Sequence, residues 1–404
     1  MGERHVRRQV PRWSELRPLV RVEVPAWRRR ARVRRAASIA DLRSLARRHT
    51  PRAAFDYVDG AAEGELSHAR SRAAFARVEF RPRVLRDVSD VDTGTTLLGR
   101  PAALPLVLAP TGFTRMMHHE GEHAVAAAAA ATGVPYTLST MGTVAPEELA
   151  GSGERWFQLY LWRDRAATKD LVARAAAAGF RALMLTVDTP VSGSRLRDVR
   201  DGLTIPPNLT LRTLVDMGRH PSWWWHLLST PPLRFASLDS TDGALADLVD
   251  RVFDPSITLA DLAWLRDVWT GPLIVKGVLD AADARTVVDA GADAVVVSNH
   301  GGRQLDRVAT PLEVLPAVVE AVGGRAEVYL DGGVLDGADV VAAVGLGARA
   351  CLVGRAYLYG LMAGGQDGVT RALDILRADV RRTLALLGAR TIDQLGPDRV
   401  RLRP

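Results

Sequence analysis

Two residue types are nearly missing from this chain. Cys351 is the only cysteine in 404 residues. An intrachain disulfide and a cysteine-ligated metal cluster are thereby excluded, which fits a reducing interior. Cys351 sits in a strand-like run and reads as a small core residue. Lysine is almost as scarce: of 53 basic residues only Lys169 and Lys276 are lysine. A compact ammonium kept at one position of an arginine-rich chain points to a place where a planar guanidinium does not fit. No apolar run reaches the length of a bilayer-spanning helix, because charge, Gly or Pro breaks every candidate. The N-terminus has no apolar segment of the kind a secretory signal carries. No strand ends in G-x-G-x-x-G, so nothing marks a dinucleotide crevice.

What is present is an ordinary soluble composition, with 47% apolar and 25% charged residues and a net charge of +7. The length allows one large domain or two ordinary ones. The positive charge is concentrated at the start. The first 36 residues hold twelve arginines, including Arg28, Arg29, Arg30, Arg34 and Arg35, against Glu3, Glu15 and Glu23. Residues 1–37 are expected to form a solvated basic arm. With no nucleic-acid module following, an anionic membrane surface is its expected partner. The expected location is cytoplasmic, with peripheral contact at the inner face of the cell membrane.

Ser38-Ile-Ala-Asp41 is a capping box and predicts a helix start. A second helix is expected near Thr50-Pro51, with Pro at the first helical position. Residues 80–98 read as irregular. Strand and helix signals then alternate. The expected strands are Pro105–Ala109, Pro135–Leu138, Trp156–Leu161, Ala182–Val187, Leu273–Lys276, Ala294–Val297, Glu327–Leu330 and Ala350–Val353. Ala-rich helices over Glu120–Thr132, Ala166–Ala178, Ala281–Ala290, Pro311–Val322 and Gly337–Leu346 lie between most of them. Eight buried strands alternating with helices predict an α/β fold, a (β/α)8 TIM barrel over residues 38–404. The alternative is an open doubly wound sheet. One connection is long, an insertion at about 200–259 after strand four. It contains Trp223-Trp224-Trp225-His226-Leu227-Leu228, which reads equally as the core of a small subdomain or as an interfacial anchor.

Barrel sites gather at the C-terminal ends of the strands. Here those ends carry Thr111-Gly112, Ser139, Gln158 with Tyr160, Thr186 with Asp188 and then Arg195, Lys276, Ser298-Asn299-His300, Asp331-Gly332-Gly333, and Gly354-Arg355. Any one of these alone is as good as a turn or a cap; together they describe a polar ring around one mouth. The glycines after strands seven and eight, with Arg355, match the phosphate site of barrels, where backbone N–H groups and a cation hold a phosphoryl group. A phosphorylated cofactor is therefore expected. Strand six runs into Ser298-Asn-His300-Gly-Gly-Arg303-Gln-Leu-Asp306. This sets a histidine, the side chain that exchanges protons near neutrality, beside an arginine able to grip a carboxylate through two hydrogen bonds.

That nine-residue stretch resembles the signature of the FMN-dependent α-hydroxy-acid oxidase and dehydrogenase family. The resemblance extends through Arg81-Pro-Arg83-Val-Leu-Arg-Asp87, Ala109-Pro-Thr111, Phe157-Gln158-Leu-Tyr160, Leu185-Thr186-Val-Asp188, Val275-Lys276-Gly277 and Leu330-Asp331-Gly332-Gly333, nearly the whole chain from Ser38. Pro110–Arg115, the Trp cluster and Gly354–Met362 are similar to the actinobacterial L-lactate dehydrogenases within it. The resemblance implies FMN as cofactor and oxidation of an L-2-hydroxy acid, L-lactate first, to the 2-oxo acid. Quinone or another respiratory carrier is the implied electron acceptor. The alternatives are an oxygen-using oxidase that makes hydrogen peroxide and, in another class, a barrel that binds FMN without turnover. The resemblance also implies a homo-oligomer, a tetramer.

By the same resemblance, His300 is the catalytic base, Asp188 steadies its imidazolium, and Tyr57, Arg195 and Arg303 hold the substrate carboxylate. Tyr160 meets the substrate hydroxyl, and Met141 stands in the side-chain pocket where glycolate oxidases have a tryptophan. Lys276 faces flavin N1. Ser139, Gln158, Thr186 and Ser298 bind the ring or ribityl chain, and Thr111 and Gly112 lie against N5. Asp331, Gly332, Gly333, Gly354 and Arg355 belong to the phosphate end. Leu335 departs from the family there, standing where many members have an arginine. No metal is implied.

Overall fold

A computed structural model describes residues 29–149, 151, 153–201, 215–216, 218–238 and 253–403. Most of the expected basic arm and much of the insertion lie outside those residues. Eight strands close into an all-parallel barrel: β1 Leu106–Leu108, β2 Tyr136–Ser139, β3 Arg155–Leu159, β4 Ala182–Thr186, β5 Leu273–Val278, β6 Ala294–Ser298, β7 Glu327–Asp331 and β8 Ala350–Val353. Neighbours in sequence are neighbours in space, and β8 pairs back onto β1 through Cys351 opposite Leu106. Each strand lies within two residues of its expected bounds, because buried parallel strands read as unbroken Val, Ile, Leu and Ala runs. Closure rather than an open sheet matches eight successive parallel strands, each paired with its sequence neighbours and the last with the first, with no topological break.

Among the described residues the longer helices, in chain order, are α1 Arg29–Arg35, α2 Ile39–His49, α3 Arg52–Asp59, α4 Leu66–Ala76, α5 Gly121–Thr132, α6 Arg165–Ala177, α7 Pro221–Leu228, α8 Leu259–Val268, α9 Ala281–Asp289, α10 Pro311–Val322, α11 Gly337–Gly345 and α12 Arg355–Leu387, with short turns of helix at Thr114–Met117 and Leu196–Asp201. Between β2 and β3 the described residues hold a 3-10 turn, Pro146–Leu149, and no α-helix. Ser38 caps α2 as the box predicts: Asp41 N donates to Ser38 Oγ at 3.2 Å and Ser38 N to Asp41 Oδ2 at 3.1 Å. Pro51 is the N-cap of α3 rather than its first helical residue. The difference is one position, within the usual fraying of helix ends.

Three expectations change. Residues 80–98 are not wholly irregular: Thr95–Leu97 pairs with Arg100–Ala102 in a hairpin. Its Leu97 and Ala102 close the bottom of the barrel against Trp156 and Tyr329. The arm is not solvated throughout, for α1 buries Val33 and docks on α12. The reason lies in α12, whose helix breaks at Gly364 and Gly365, where Gly365 has φ 60°. A broken helix leaves carbonyls without partners. Arg29 takes two of them, donating from Nε to Ala363 O at 2.6 Å and from Nη2 to Met362 O at 2.7 Å. Glu120 Oε2 accepts from Gln366 N on the other side of the break. Finally, the three tryptophans divide. Trp224 is buried, while Trp225 is 71% exposed and Leu228, three residues on, 66%. Among the described residues no helix is long and apolar enough to cross a membrane.

Candidate functional site

The barrel interior alternates with period two along every strand. One layer of inward-facing residues is apolar: Ala109, Trp156, Met184, Ile274, Val296, Tyr329 and Leu352. Two residues further on, at the C-terminal edge, the same strands present Thr111, Gln158, Thr186, Lys276, Ser298, Asp331 and Gly354. These polar groups pair around the ring. Ser139 Oγ donates to Gln158 Oε1 at 2.9 Å, and Gln158 Nε2 to Thr186 Oγ1 at 3.0 Å. Lys276 Nζ lies 3.0 Å from Ser298 Oγ and 2.9 Å from Asp331 Oδ2, and Ser298 Oγ donates to Asp331 at 2.7 Å. Burial favours the neutral amine of Lys276, but the charges of Asp331 and Asp188 outweigh it, so its pKa rises and it stays an ammonium. The pairing of β5 with β6 shifts register between Lys276 and Val278, and a Cβ on the intervening Gly277 would lie 2.6 Å from Asp188 Cβ.

Above this floor, the chain turns sharply after β6. His300, Gly301 and Gly302 all have positive φ, at 55°, 63° and 76°. The glycines accept this freely; His300 does so under constraint, which is typical of a residue held for function. A Cβ on Gly302 would lie 2.8 Å from the His68 backbone nitrogen. The turn is anchored by His300 N donating to Ser298 Oγ and by Asn299 Oδ1 accepting from Gly302 N.

His300 Nδ1 lies 2.9 Å from Asp188 Oδ1. Burial pushes the Asp188 carboxyl up, but His300, its hydrogen bond and Lys276 prevail and hold it below the usual range. Nδ1 being engaged, Nε2 is the atom left for a ligand. Tyr57, Arg195 and Arg303 line the same cleft as His300. The guanidinium carbons of Arg303 and Arg195 stand 4.9 and 5.6 Å from the centre of the Tyr57 ring. Arg303 donates to the Tyr57 and Gly60 carbonyls through Nη1. Burial, then the charge of Arg195, pulls its guanidinium down to about 10, still a cation at neutrality. Two like charges this close in a partly desolvated cleft favour an anion between them.

One cleft joins most of the expected residues. Thr111, Gly112, Ser139, Thr186, Lys276, Asp331, Gly332, Gly333, Gly354 and Arg355 line it, as do Tyr57, Met141, Tyr160, Arg195, His300 and Arg303. Three others stand behind that lining: Gln158 and Ser298 in the floor, and Asp188 behind His300. Arg355 lies at the glycine-rich end, its three nitrogens donating to the carbonyls of Val58, Gly301 and Gly60. A Cβ built on Gly112 would meet Met141 Cβ at 2.9 Å, so these two residues constrain each other. The cleft also includes His68, Arg72 and Phe253, which sequence reasoning did not single out. His68 and Arg72 are four apart on α4, a helix preceding the barrel, so a search along strand ends could not reach them. Their i, i+4 spacing was the available signal. Phe253 closes the far end of the insertion against Tyr160, ring centres 5.3 Å apart.

Residues 46–402 match the model of the FMN-dependent dehydrogenase family. A protein of Mycobacterium tuberculosis, provisionally named an L-lactate dehydrogenase, is 53% identical over 399 residues, 98% of this chain and 96% of its own. An L-lactate dehydrogenase of Caulobacter vibrioides is 47% identical over 365 residues, covering 88% of this chain and 95% of that one. Among solved structures, the monotopic membrane protein (S)-mandelate dehydrogenase superposes with a TM-score of 0.88 at 37% identity, covering 91% of this chain and 100% of that one. A mandelate oxidase with (S)-4-hydroxymandelic acid gives 0.81 at 40%, covering 91% and 98%.

Proposed function

The chain belongs to the FMN-dependent dehydrogenase family, and from that premise we infer that it oxidises an L-2-hydroxy acid, L-lactate first, to the 2-oxo acid and passes the electrons to quinone or another respiratory carrier. The observation that carries this reading is the pairing of a proton acceptor with an anion clamp: His300 held by Asp188, next to Arg303 and Arg195 on one tyrosine ring.

The cleft fits FMN. A Cβ on Gly354 would meet no atom closer than 3.9 Å, so the glycine leaves room that a side chain would fill. A charged lysine at the floor suits the electron-rich edge of a flavin, and the glycine-rich end suits its phosphate. Thr111, Gly112, Ser139, Gln158, Thr186, Lys276 and Ser298 would hold the ring and ribityl chain. Asp331, Gly332, Gly333, Gly354 and Arg355 would frame the phosphate end. When bound, FMN supplies the two-electron acceptor. The rest is the work of the chain. Arg303 and Arg195 bind the carboxylate, and Tyr57 packs beneath both. Tyr160 orients the substrate hydroxyl, and His300 Nε2 takes its proton. Asp188 fixes the tautomer and balances the imidazolium. Met141 and Phe253 bound the space for the side chain.

The support for L-lactate is the name of the two sequence relatives. (S)-mandelate is the second reading, favoured by the structural neighbours. Anaerobic mixing with L-lactate, (S)-mandelate and glycolate, followed by oxygen or a quinone analogue, tests substrate and acceptor together. We expect L-lactate to bleach the flavin fastest, with slow reoxidation in air and fast reoxidation by the quinone. Fast air reoxidation with stoichiometric peroxide would make the protein an oxidase and leave the first half-reaction standing.

The membrane partner of this reading rests on Trp225 and Leu228, the exposed stripe of α7, and on the basic N-terminus. The double variant Trp225→Ser with Leu228→Ser should stop co-flotation with anionic vesicles and spare activity toward a soluble dye. Wild-type protein that does not float would remove the membrane from the assignment.

A further inference from the structure

The phosphate end of the cleft, taken as read above, holds a group of charge close to −2 at neutral pH. Strand ends bring one cation there, Arg355, and each of its three nitrogens already donates to a backbone carbonyl. Leu335, in the lining at the same end, is apolar. Of the acidic groups close by, Asp331 is balanced by Lys276 at 2.9 Å, which leaves the α11 cap pair Asp336 and Asp339. A dianion in such surroundings calls for a second cation.

Helix α4 brings one. Arg72 lines this end of the cleft from outside the barrel. It donates to the Gly333 carbonyl and to Asp339 Oδ2. Its guanidinium carbon stands 5.4 Å from the Phe75 ring centre. The same Asp339 Oδ2 accepts from Leu335 N at 2.9 Å, so Arg72 and the β7–α11 turn share one carboxylate. Helix and turn touch directly: a Cβ on Gly333 would lie 2.8 Å from the Ser71 carbonyl. We propose that Arg72, oriented by Asp339 and Phe75, supplies the second cation for the FMN phosphate.

The test compares two ligands that differ only in the phosphate. The full chain, freed of flavin, is titrated with FMN and with riboflavin by flavin fluorescence. Arg72→Leu should weaken FMN binding on the order of ten- to a hundredfold, as loss of charge-assisted hydrogen bonds does. Riboflavin binding should stay within about twofold, since a charge on the phosphate is not used there. Adding Leu335→Arg to that variant puts a guanidinium back at the same end and should recover FMN binding without touching riboflavin. Equal losses for both flavins would reduce Arg72 to a tie between α4 and the barrel and overturn the proposal, as would unchanged FMN binding. A wild type that binds both flavins equally would instead overturn the assignment of the phosphate end itself.

Discussion

The two layers of the barrel interior are built on the same strands, two residues apart, and share almost no chemistry. In the lower layer Trp156, Met184, Ile274, Val296, Tyr329 and Leu352 fill the space with carbon. In the upper layer Gln158, Thr186, Lys276, Ser298 and Asp331 are also buried but polar. The lower layer is held by dispersion and by removal of apolar area from water. The upper is held only because its groups satisfy one another, since an unpaired polar group at that depth costs more than it returns. Lys276 shows the consequence. Its charge survives burial because Asp331 sits 2.9 Å away and Asp188 nearby. The lower layer is what makes the upper one precise. A packed plug closed by Leu97 and Ala102 leaves the polar groups no freedom to sink or rotate.

If this division holds, the two layers fail in different ways. The largest effect belongs to the turn above the upper layer. His300→Ala should leave the protein yellow and folded while slowing flavin reduction by substrate on the order of a hundredfold to ten-thousandfold. Rapid-mixing absorbance measures this, and a near-native rate would take His300 out of the chemistry. The smaller and opposite effect belongs below. Trp156→Ala removes a wholly buried ring packed against Tyr329. It should cost about 3–5 kcal/mol of stability, seen as a lower melting temperature. Reduction by substrate, per folded molecule, should change little. A Trp156→Ala protein that melts normally but reduces slowly would erase the division between the layers.

Much of this was legible along the chain. The eight strands announced themselves as apolar runs, and the change from Val297 to Ser298 or from Leu330 to Asp331 marked where each met the mouth. His300 and Arg303 were legible because they stand three apart in a turn fed by a strand. Arg29, Arg72 and His68 were not. Arg29 reads as one arginine among many until Gly364 and Gly365 break a helix 333 or more residues away and leave carbonyls for it to take. Arg72 reads as an exposed helical position until the turn after β7 is folded beneath it. The tryptophan run was ambiguous for the same reason. Helical spacing separates Trp224 from Trp225, but which of them faces the protein depends on what α7 packs against.

The sequence by itself determined the alternation of strands and helices, the edge at which polar residues gather, and the kinds of group gathered there. These follow from periodicity and local backbone preference, which act between residues a few positions apart. Only the tertiary structure decided the partnerships: His300 with Asp188 across 112 positions, Lys276 with Asp331, and Arg72 with the turn after β7. Each joins residues on different strands or helices, and their separation in space is set by barrel closure, which no local preference encodes.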